Sequence, residues 1–301
     1  MVQIQDGISA VIDSLRAGRL DQAQKTCKQV LSQWPGHALS WHLLGVIEHQ
    51  RAHYDQAITH FKRAIELDGA REGWHFALGV SYRMVNRRTE AIAAYRRALE
   101  LNPHHADAHN NLGSLLLEMG NRDQAAACFK RAIAAHRGHA GAHANMGMFL
   151  VESGQAESGI KHLRIACHLK SMVTDYHCAL GRVLQGQHLL DEAAKCYLCA
   201  VRLDPQCAEA QHGLGVVRQE QGHPRKALVH FRSALQIESS VHTYRSMGAV
   251  FARLGQFERA ATCFERALQR QPHDAETIAA QARLDEVRGQ VDQAWQRLKP
   301  L

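Results

Sequence analysis

Residues Asn102–Ile133 read NPHHADAHNNLGSLLLEMGNRDQAAACFKRAI and contain the pattern from which the fold can be predicted. In its second half, Ala125, Phe129 and Ala132 follow the i, i+4, i+7 spacing that brings side chains to one face of a helix. Gly120 lies before them, where a glycine favours the end of one helix ahead of the next. The stretch therefore predicts two helices joined by a short turn.

The same arrangement recurs along the chain with a period of 34 residues and one step of 33. One series consists of glycines: Gly45, Gly79, Gly113, Gly147, Gly181, Gly215 and Gly248. A second series consists of small residues: Ala57, Ala91, Ala125, Gly159, Ala193, Ala227 and Ala260. A third series consists of large apolar residues: Phe61, Tyr95, Phe129, Leu163, Tyr197, Phe231 and Phe264. We expect the paired helices to approach closely at the small residues, with the large residue filling the space beside them.

This pattern resembles the tetratricopeptide repeat, and Trp41, Leu44, Gly45, Ala57 and Phe61 match its signature directly. The resemblance implies an all-α, right-handed superhelical solenoid of tandem helix-turn-helix repeats, with the first helices lining a concave face. We expect a single solenoid domain over residues 1–301. Its nine predicted repeats are 4–37, 38–71, 72–105, 106–139, 140–173, 174–207, 208–240, 241–274 and 275–301, the last one partial, with the two irregular end repeats in a capping role.

Composition agrees with a folded, helix-rich chain, since apolar residues make up 46%, aromatic residues 6%, and prolines number six. No window approaches the roughly 20 consecutive apolar residues of a spanning helix, and the first residues do not resemble a signal peptide. We therefore expect a cytoplasmic protein without membrane insertion, whose eight cysteines are thiols. The net charge of +7 is spread over the chain, so no specific nucleic acid is predicted as a partner.

Two sets of residues, histidines and cysteines, could be interpreted as metal or thiol sites. His75, His109, His143 and His177 recur at the position of Trp41, where the family implies packing, so we expect spacers rather than metal ligands. Cys196-x-x-Cys199 lies inside a predicted helix without a second such pair. No phosphate-binding glycine loop, HExxH helix or GxSxG elbow is present. We predict no catalytic residue, no metal and no cofactor, hence no enzyme, and keep metal or thiol sensing as a remote alternative.

Family geometry places positions 2, 5, 6, 9, 12 and 13 of each first helix on the concave face. The resemblance thus implies a peptide-binding groove formed by Phe76, Val80, Arg83, Met84, Asn110, Asn111, Ser114, Leu117, Asn145, Met148, Arg182, His212 and Arg245. Asparagine amides pair with a peptide backbone whatever its sequence. We expect the apolar members to receive an apolar side chain and the late arginines to favour an acidic end.

Two subfamilies give a finer comparison. No repeat has Lys at position 5 or Asn at position 9, so the carboxylate clamp of chaperone-binding tetratricopeptide domains is not expected. The run Ala108–Gly113 resembles the repeats of O-GlcNAc transferase, whose groove carries an asparagine ladder, and Asn111 and Asn145 match that ladder. We predict a scaffold that binds an extended segment of a protein partner. The alternative is a substrate-recruiting arm of, or partner to, a glycosyltransferase or sulfotransferase, which would follow the ending Trp295–Leu301. The oligomeric state is not predicted.

Basic pairs recur on the predicted second helices at Lys62-Arg63, Arg96-Arg97 and Lys130-Arg131. They predict a positive strip on the face away from the first helices. A solvated face is the expected role of such a strip, with weak contact to nucleic acid or acidic surfaces as the alternative.

Overall fold

The computed structural model describes residues 2–299, which form 18 α-helices and no β-strand. The helices are α1 Val2–Arg16, α2 Leu20–Gln33, α3 Ala38–Gln50, α4 Tyr54–Leu67, α5 Glu72–Met84, α6 Arg88–Leu101, α7 Ala106–Glu118, α8 Arg122–Ala135, α9 Ala140–Glu152, α10 Ala156–Leu169, α11 Thr174–Gly186, α12 Leu190–Leu203, α13 Ala208–Glu220, α14 Pro224–Ile237, α15 Val241–Arg253, α16 Phe257–Arg270, α17 Ala275–Val287 and α18 Val291–Leu298. The predicted all-α class, built from tandem helical hairpins, is confirmed. No helix in this part of the chain is long and apolar enough to cross a membrane.

In the turn of each hairpin one residue has a left-handed backbone conformation. In the Asn102–Ile133 stretch this residue is Gly120. Gly120 has a φ of +81°, which a residue without a Cβ adopts at little cost. Five further glycines share this conformation, as do three residues with side chains, Ala52, Asn86 and His188. The first helices from α3 onward begin at the residues where the predicted repeats begin.

Close packing within the hairpins depends on the glycine series. A Cβ added to Gly113 would lie 2.7 Å from the Cε1 atom of Phe129 and 3.1 Å from the Cβ atom of Cys128. Phe129 itself is fully buried, with 0% of its surface exposed. The equivalent glycines likewise abut the large residue of their own hairpin, including Gly215 against Phe231. The predicted pairing of a small with a large residue is therefore confirmed.

The chain divides into two compact units, Met1–Met146 and Gly147–Leu301, with the boundary inside α9. We call them the N-terminal unit and the C-terminal unit. The buried core of the N-terminal unit includes Val11 and Ile47. The buried core of the C-terminal unit includes Leu163 and Phe231. The single solenoid expected over residues 1–301 stays a prediction.

The last helix pair, α17 and α18, differs from a polar capping repeat. Val287 and Trp295 are each 68% exposed, and Val291 and Leu298 are also exposed. Apolar surface thus remains uncovered at this end of the described chain. The two residues that complete the predicted ending, Pro300 and Leu301, lie outside the described residues.

Candidate functional site

The predicted asparagines of the N-terminal unit form one hydrogen-bonded cluster on α7 and α9. The Nδ2 atom of Asn145 donates to the Oδ1 atom of Asn110 at 2.9 Å and to the Oγ atom of Ser114 at 3.0 Å. The Nδ2 atom of Asn110 donates to the Oδ1 atom of Asn111 at 3.4 Å. All four side chains are half-buried. We call Asn110, Asn111, Ser114 and Asn145 the amide cluster.

Aromatic rings lie beside the amide cluster. The ring of Phe76 on α5 is 5.9 Å from the ring of Tyr95 and 4.7 Å from that of His105, between centroids. Burial raises the pKa of the Tyr95 phenol, and the neighbouring Asn111 amide partly opposes this shift. The phenol therefore stays protonated at neutral pH. Its Oη atom makes no hydrogen bond of normal geometry within the described residues, despite being near Asn111.

The other predicted residues of the N-terminal unit lie on the same helices. Met84 is 53% exposed at the end of α5, while Val80 and Leu117 are half-buried. Arg83 donates from Nη2 to the Oε1 atom of Glu118 at 2.8 Å. Its charge is therefore already balanced by a neighbouring helix.

In the C-terminal unit the predicted residues are occupied by internal partners. Arg182 lies 3.4 Å from the carboxylate of Glu209. Arg245 lies 2.8 Å from Asp274 and 2.6 Å from Glu276, between side-chain nitrogen and oxygen atoms. Met148 packs against the core of this unit. Both arginines therefore already have acidic partners within this unit, and the basic end expected from the sequence stays a prediction.

His212 completes the predicted set, and it is uncharged at neutral pH. Burial is the main reason why the pKa of this imidazole is lowered to about 4, and the nearby charges of His242 and Arg245 contribute to the same shift. Its Nδ1 atom is 3.0 Å from the Oγ1 atom of Thr243. Because it is half-buried and already hydrogen-bonded, His212 fits a structural role better than an ion pair with a ligand.

Sequence reasoning missed the acidic partners, although the spacing contained a signal. Three side-chain contacts join residues 35 positions apart: Arg83 to Glu118, Asn110 to Asn145, and Gln185 to Glu220. One period plus one residue thus brings side chains of successive first helices together. Applied to the sequence, that rule would have identified both the pairing of Arg83 and the link between the two asparagines.

Family models described as tetratricopeptide repeats match residues 10–72, 106–139, 178–240 and 241–274, and one described as a TPR repeat matches residues 86–120. The chain carries tetratricopeptide repeats. Repeats of this kind generally mediate protein–protein interaction. Human Tetratricopeptide repeat protein 7A is 31% identical over 90 residues, which are 30% of this chain and 10% of that protein. The chain therefore spans about a tenth of the length of this curated relative.

Solved structures share the fold at low sequence identity. The Cut9–Hcn1 structure, described as an APC/C hetero-tetramer, has a TM-score of 0.66 at 14% identity, covering 91% of this chain and 52% of that one. Pseudomonas aeruginosa pilF has a TM-score of 0.58 at 22% identity, covering 64% and 88%. YrrB, described as a TPR protein with an unusual peptide-binding site, has a TM-score of 0.52 at 24% identity, covering 63% and 96%. These likenesses show the fold of the tetratricopeptide repeats.

The periodic histidines have a structural role in these tetratricopeptide repeats. The Nε1 atom of Trp41 donates to the carbonyl oxygen of Pro35 at 2.9 Å. His75, His109, His143 and His177 make the equivalent contact from Nε2 to the carbonyl six residues earlier, at 3.1, 2.9, 3.1 and 2.9 Å. Because a carbonyl only accepts, Nε2 carries the proton in each ring. Among the described residues, no three His, Cys, Asp or Glu side chains are grouped to hold a metal ion.

The cysteines of the repeats are thiols, most of them with raised pKa values. Burial raises the pKa of Cys27 and Cys196 to about 12 and that of Cys167 and Cys263 to about 11. A reactive thiol has a lowered pKa, so these groups are poor nucleophiles at neutral pH. The Sγ atoms of Cys178 and Cys207 are 3.8 Å apart, a contact between two thiols.

Proposed function

We propose that this chain is a non-catalytic scaffold whose N-terminal unit binds an extended segment of a protein partner at the amide cluster. The observation that supports it is the hydrogen-bonded row of Asn110, Asn111 and Asn145 across two successive first helices. Asn111 and Asn145 are also the positions that resemble the asparagine ladder of O-GlcNAc transferase repeats. A row of fixed amides suits a peptide backbone, which presents both donors and acceptors along its length.

The hydrogen bonds within the amide cluster hold its side chains in place, and two polar amide atoms take no part in these bonds. The Oδ1 atom of Asn145 and the Nδ2 atom of Asn111 take no part in the three bonds of the cluster. Each bond from such an atom to a peptide would contribute about 0.5–1.5 kcal/mol. Because the amides are already oriented, little side-chain entropy is lost on binding.

Selectivity for the bound segment would come from the apolar residues near the cluster. Phe76 presents a half-buried ring and Met84 an exposed thioether, both on α5, the first helix of the preceding repeat. An aromatic ring and a methionine accommodate apolar side chains of varied shape. The ligand class is therefore an extended segment with an apolar residue near the Phe76 end. Arg83, Arg182 and Arg245 would contribute only where a ligand carboxylate displaces an internal one.

The test compares the wild type with the double variant Asn111→Ala/Asn145→Ala in capture of partner segments from a peptide library. Asn121→Ala is the matched control, because Asn121 lies in the following turn and its side chain makes no capping hydrogen bond. We expect the double variant to lose the captured peptides and the control to keep them, with unchanged helical circular dichroism in both. Equal capture by all three proteins would reject the amide cluster as the binding site.

A recruiting role beside a transferase is the second candidate, supported by the uncovered apolar end of the last repeat. Trp295 and Val287, each 68% exposed, would be covered by a following or associated domain. Sequencing the parent reading frame past Leu301 tests this candidate. A transferase domain in frame would support it, and a stop codon would leave only a separate enzyme, to be sought by co-purification.

A further inference from the structure

A cavity of about 560 Å³ opens between the second helices α6 and α8, with α7 as its floor. Its floor and walls are mostly apolar, formed by Leu99, Pro103, Leu112, Leu116 and Ala127. Its charged lining consists of two guanidinium groups, Arg96 from α6 and Arg131 from α8, and the carboxylate of Glu100, which is already paired with Arg97 at 2.8 Å. The volume lies within the roughly 300–1,000 Å³ typical of ligand pockets. We call it the second-helix cavity, and it is separate from the amide cluster.

The repeat pattern shows why Arg131 is free. In the two preceding repeats the equivalent arginines form ion pairs three residues along the helix, Arg63 with Glu66 at 2.9 Å and Arg97 with Glu100 at 2.8 Å. Ala134 stands where the third glutamate would be. Within residues 2–299, neither Arg131 nor Arg96 forms an ion pair. The positive strip is therefore internally neutralised at Arg63 and Arg97 and left open at the second-helix cavity.

A buried imidazole without a second partner lies in the same place. His109 is 5% exposed, and its Nε2 atom donates to the carbonyl oxygen of Pro103 at 2.9 Å. Its Nδ1 atom is buried and has no hydrogen-bond partner. Since Nε2 carries the proton, Nδ1 is an acceptor whose hydrogen bond is missing. A polar ligand group that donates a hydrogen bond would supply it.

The positive charges of Arg96 and Arg131 both act on the Cys128 thiol in the lining of the cavity. Burial raises the pKa of the Cys128 thiol, and the charges of Arg131 and Arg96 both oppose this rise. Arg131 also lowers the pKa of His109, although burial is the larger cause there. The positive charges of two helices thus meet over one apolar floor. That combination fits a group with a carboxylate beside an apolar body.

We propose that the second-helix cavity binds an acidic–hydrophobic segment of a protein partner, with an apolar side chain on the floor and flanking carboxylates on Arg96 and Arg131. The guanidinium fork matches a carboxylate with two parallel hydrogen bonds. A nucleic acid fits less well, because the lining contains no Phe, Tyr or Trp on which a base would stack. This site goes beyond the proposed function, since it uses the opposite face of α7.

The test measures binding of a fluorescein-labelled peptide Glu-Leu-Phe-Glu-Glu by fluorescence anisotropy. Arg131→Ala and Arg96→Ala remove the proposed contacts. Arg63→Ala is the matched control, because the guanidinium of Arg63 is already paired with Glu66 and neither residue lines the second-helix cavity. Ala134→Glu restores the ion pair of the neighbouring repeats without removing an arginine, and Ala134→Gln controls for side-chain size. We expect Arg131→Ala, Arg96→Ala and Ala134→Glu each to weaken binding about tenfold. Arg63→Ala and Ala134→Gln should bind like the wild type.

Four results would overturn the proposal. One is the absence of peptide binding up to about 1 mM. Another is equal weakening by Arg63→Ala and Arg131→Ala, which would indicate general charge attraction. The third is unchanged binding when glutamine replaces each glutamate of the peptide. The fourth is preferential binding of an oligothymidylate in place of the peptide. Asn111→Ala/Asn145→Ala should leave this affinity unchanged, so the two sites succeed or fail separately.

Discussion

The amide cluster of the N-terminal unit and the arginines of the C-terminal unit show two outcomes for polar residues at corresponding repeat positions. Asn110, Asn111 and Asn145 bond to one another and still leave polar atoms over. Arg245 instead has its charge balanced by Asp274 and Glu276. A ligand gains most where polar groups are oriented but incompletely paired, and least where it must displace an internal partner. The difference favours the N-terminal unit as the peptide-binding region.

The largest predicted effect tests whether the two units share one packing rule despite these different faces. Gly113→Leu in the N-terminal unit and Gly215→Leu in the C-terminal unit force a side chain into Phe129 and Phe231. Because both rings are fully buried, we expect each variant to lose about 3 kcal/mol or more of unfolding free energy. Urea unfolding followed by circular dichroism measures the loss. Gly73→Ala, with no neighbour within 4 Å of an added Cβ, should stay close to the wild type. Wild-type stability in either leucine variant would contradict the rule.

The next effect concerns pH and involves one histidine from each unit. Burial lowers the pKa of both His42 and His212 to about 4 from 6.5. Below pH 6.5 the unfolded imidazoles take up protons that the folded ones do not, so stability is lost as the pH falls from 6.5 toward 4. The loss is on the order of 1–3 kcal/mol for each histidine. Thermal unfolding measured across this pH range should show the loss. His42→Asn and His212→Asn should each reduce the slope of the melting temperature against pH. Unchanged slopes in both variants would argue against half-buried rings that stay neutral.

A smaller effect separates stabilising from ligand-binding residues. Arg245→Ala removes the cation that pairs with Asp274 and Glu276. The side chains of Arg245 and Asp274 are mostly buried. We expect a loss of about 1–2 kcal/mol in unfolding free energy and no change in capture of the N-terminal unit's peptides. Asn145→Ala should instead weaken the capture of these peptides and leave the unfolding free energy close to that of the wild type. Calorimetry and the capture assay, run on both variants, decide the matter; loss of capture in Arg245→Ala would move the binding site toward the C-terminal unit.

The smallest effect concerns the turns within the hairpins. Ala52 has a φ of +62° at the place where most turns have a glycine. Ala52→Gly removes this steric cost and should raise unfolding free energy by about 0.5–1 kcal/mol, after the entropy cost of glycine is subtracted. Gly120→Ala, at a φ of +81°, should lower it by a similar amount. Equal melting temperatures for the two variants would contradict this account of the turn.

The sequence was sufficient for the helices and their packing because the period repeats the same constraint many times. Gly113, Phe129 and their equivalents define the hairpin whatever surrounds it. The groove was harder to predict, because a residue's position on a helix does not reveal its partner on the next helix. Arg83 and Arg245 looked free in the sequence, although Glu118 and Asp274 neutralise them. The unpaired state of Arg131 follows from the sequence only once the neighbouring ion pairs are known.

The most direct test of the central claim uses one peptide captured by the wild type and two double variants. Isothermal titration calorimetry would compare Asn111→Ala/Asn145→Ala in the N-terminal unit with Arg182→Ala/Arg245→Ala in the C-terminal unit. The amide cluster predicts at least about a tenfold weaker affinity for the asparagine variant and an affinity within about twofold of the wild type for the arginine variant. Weak binding by the arginine variant together with wild-type binding by the asparagine variant would contradict it.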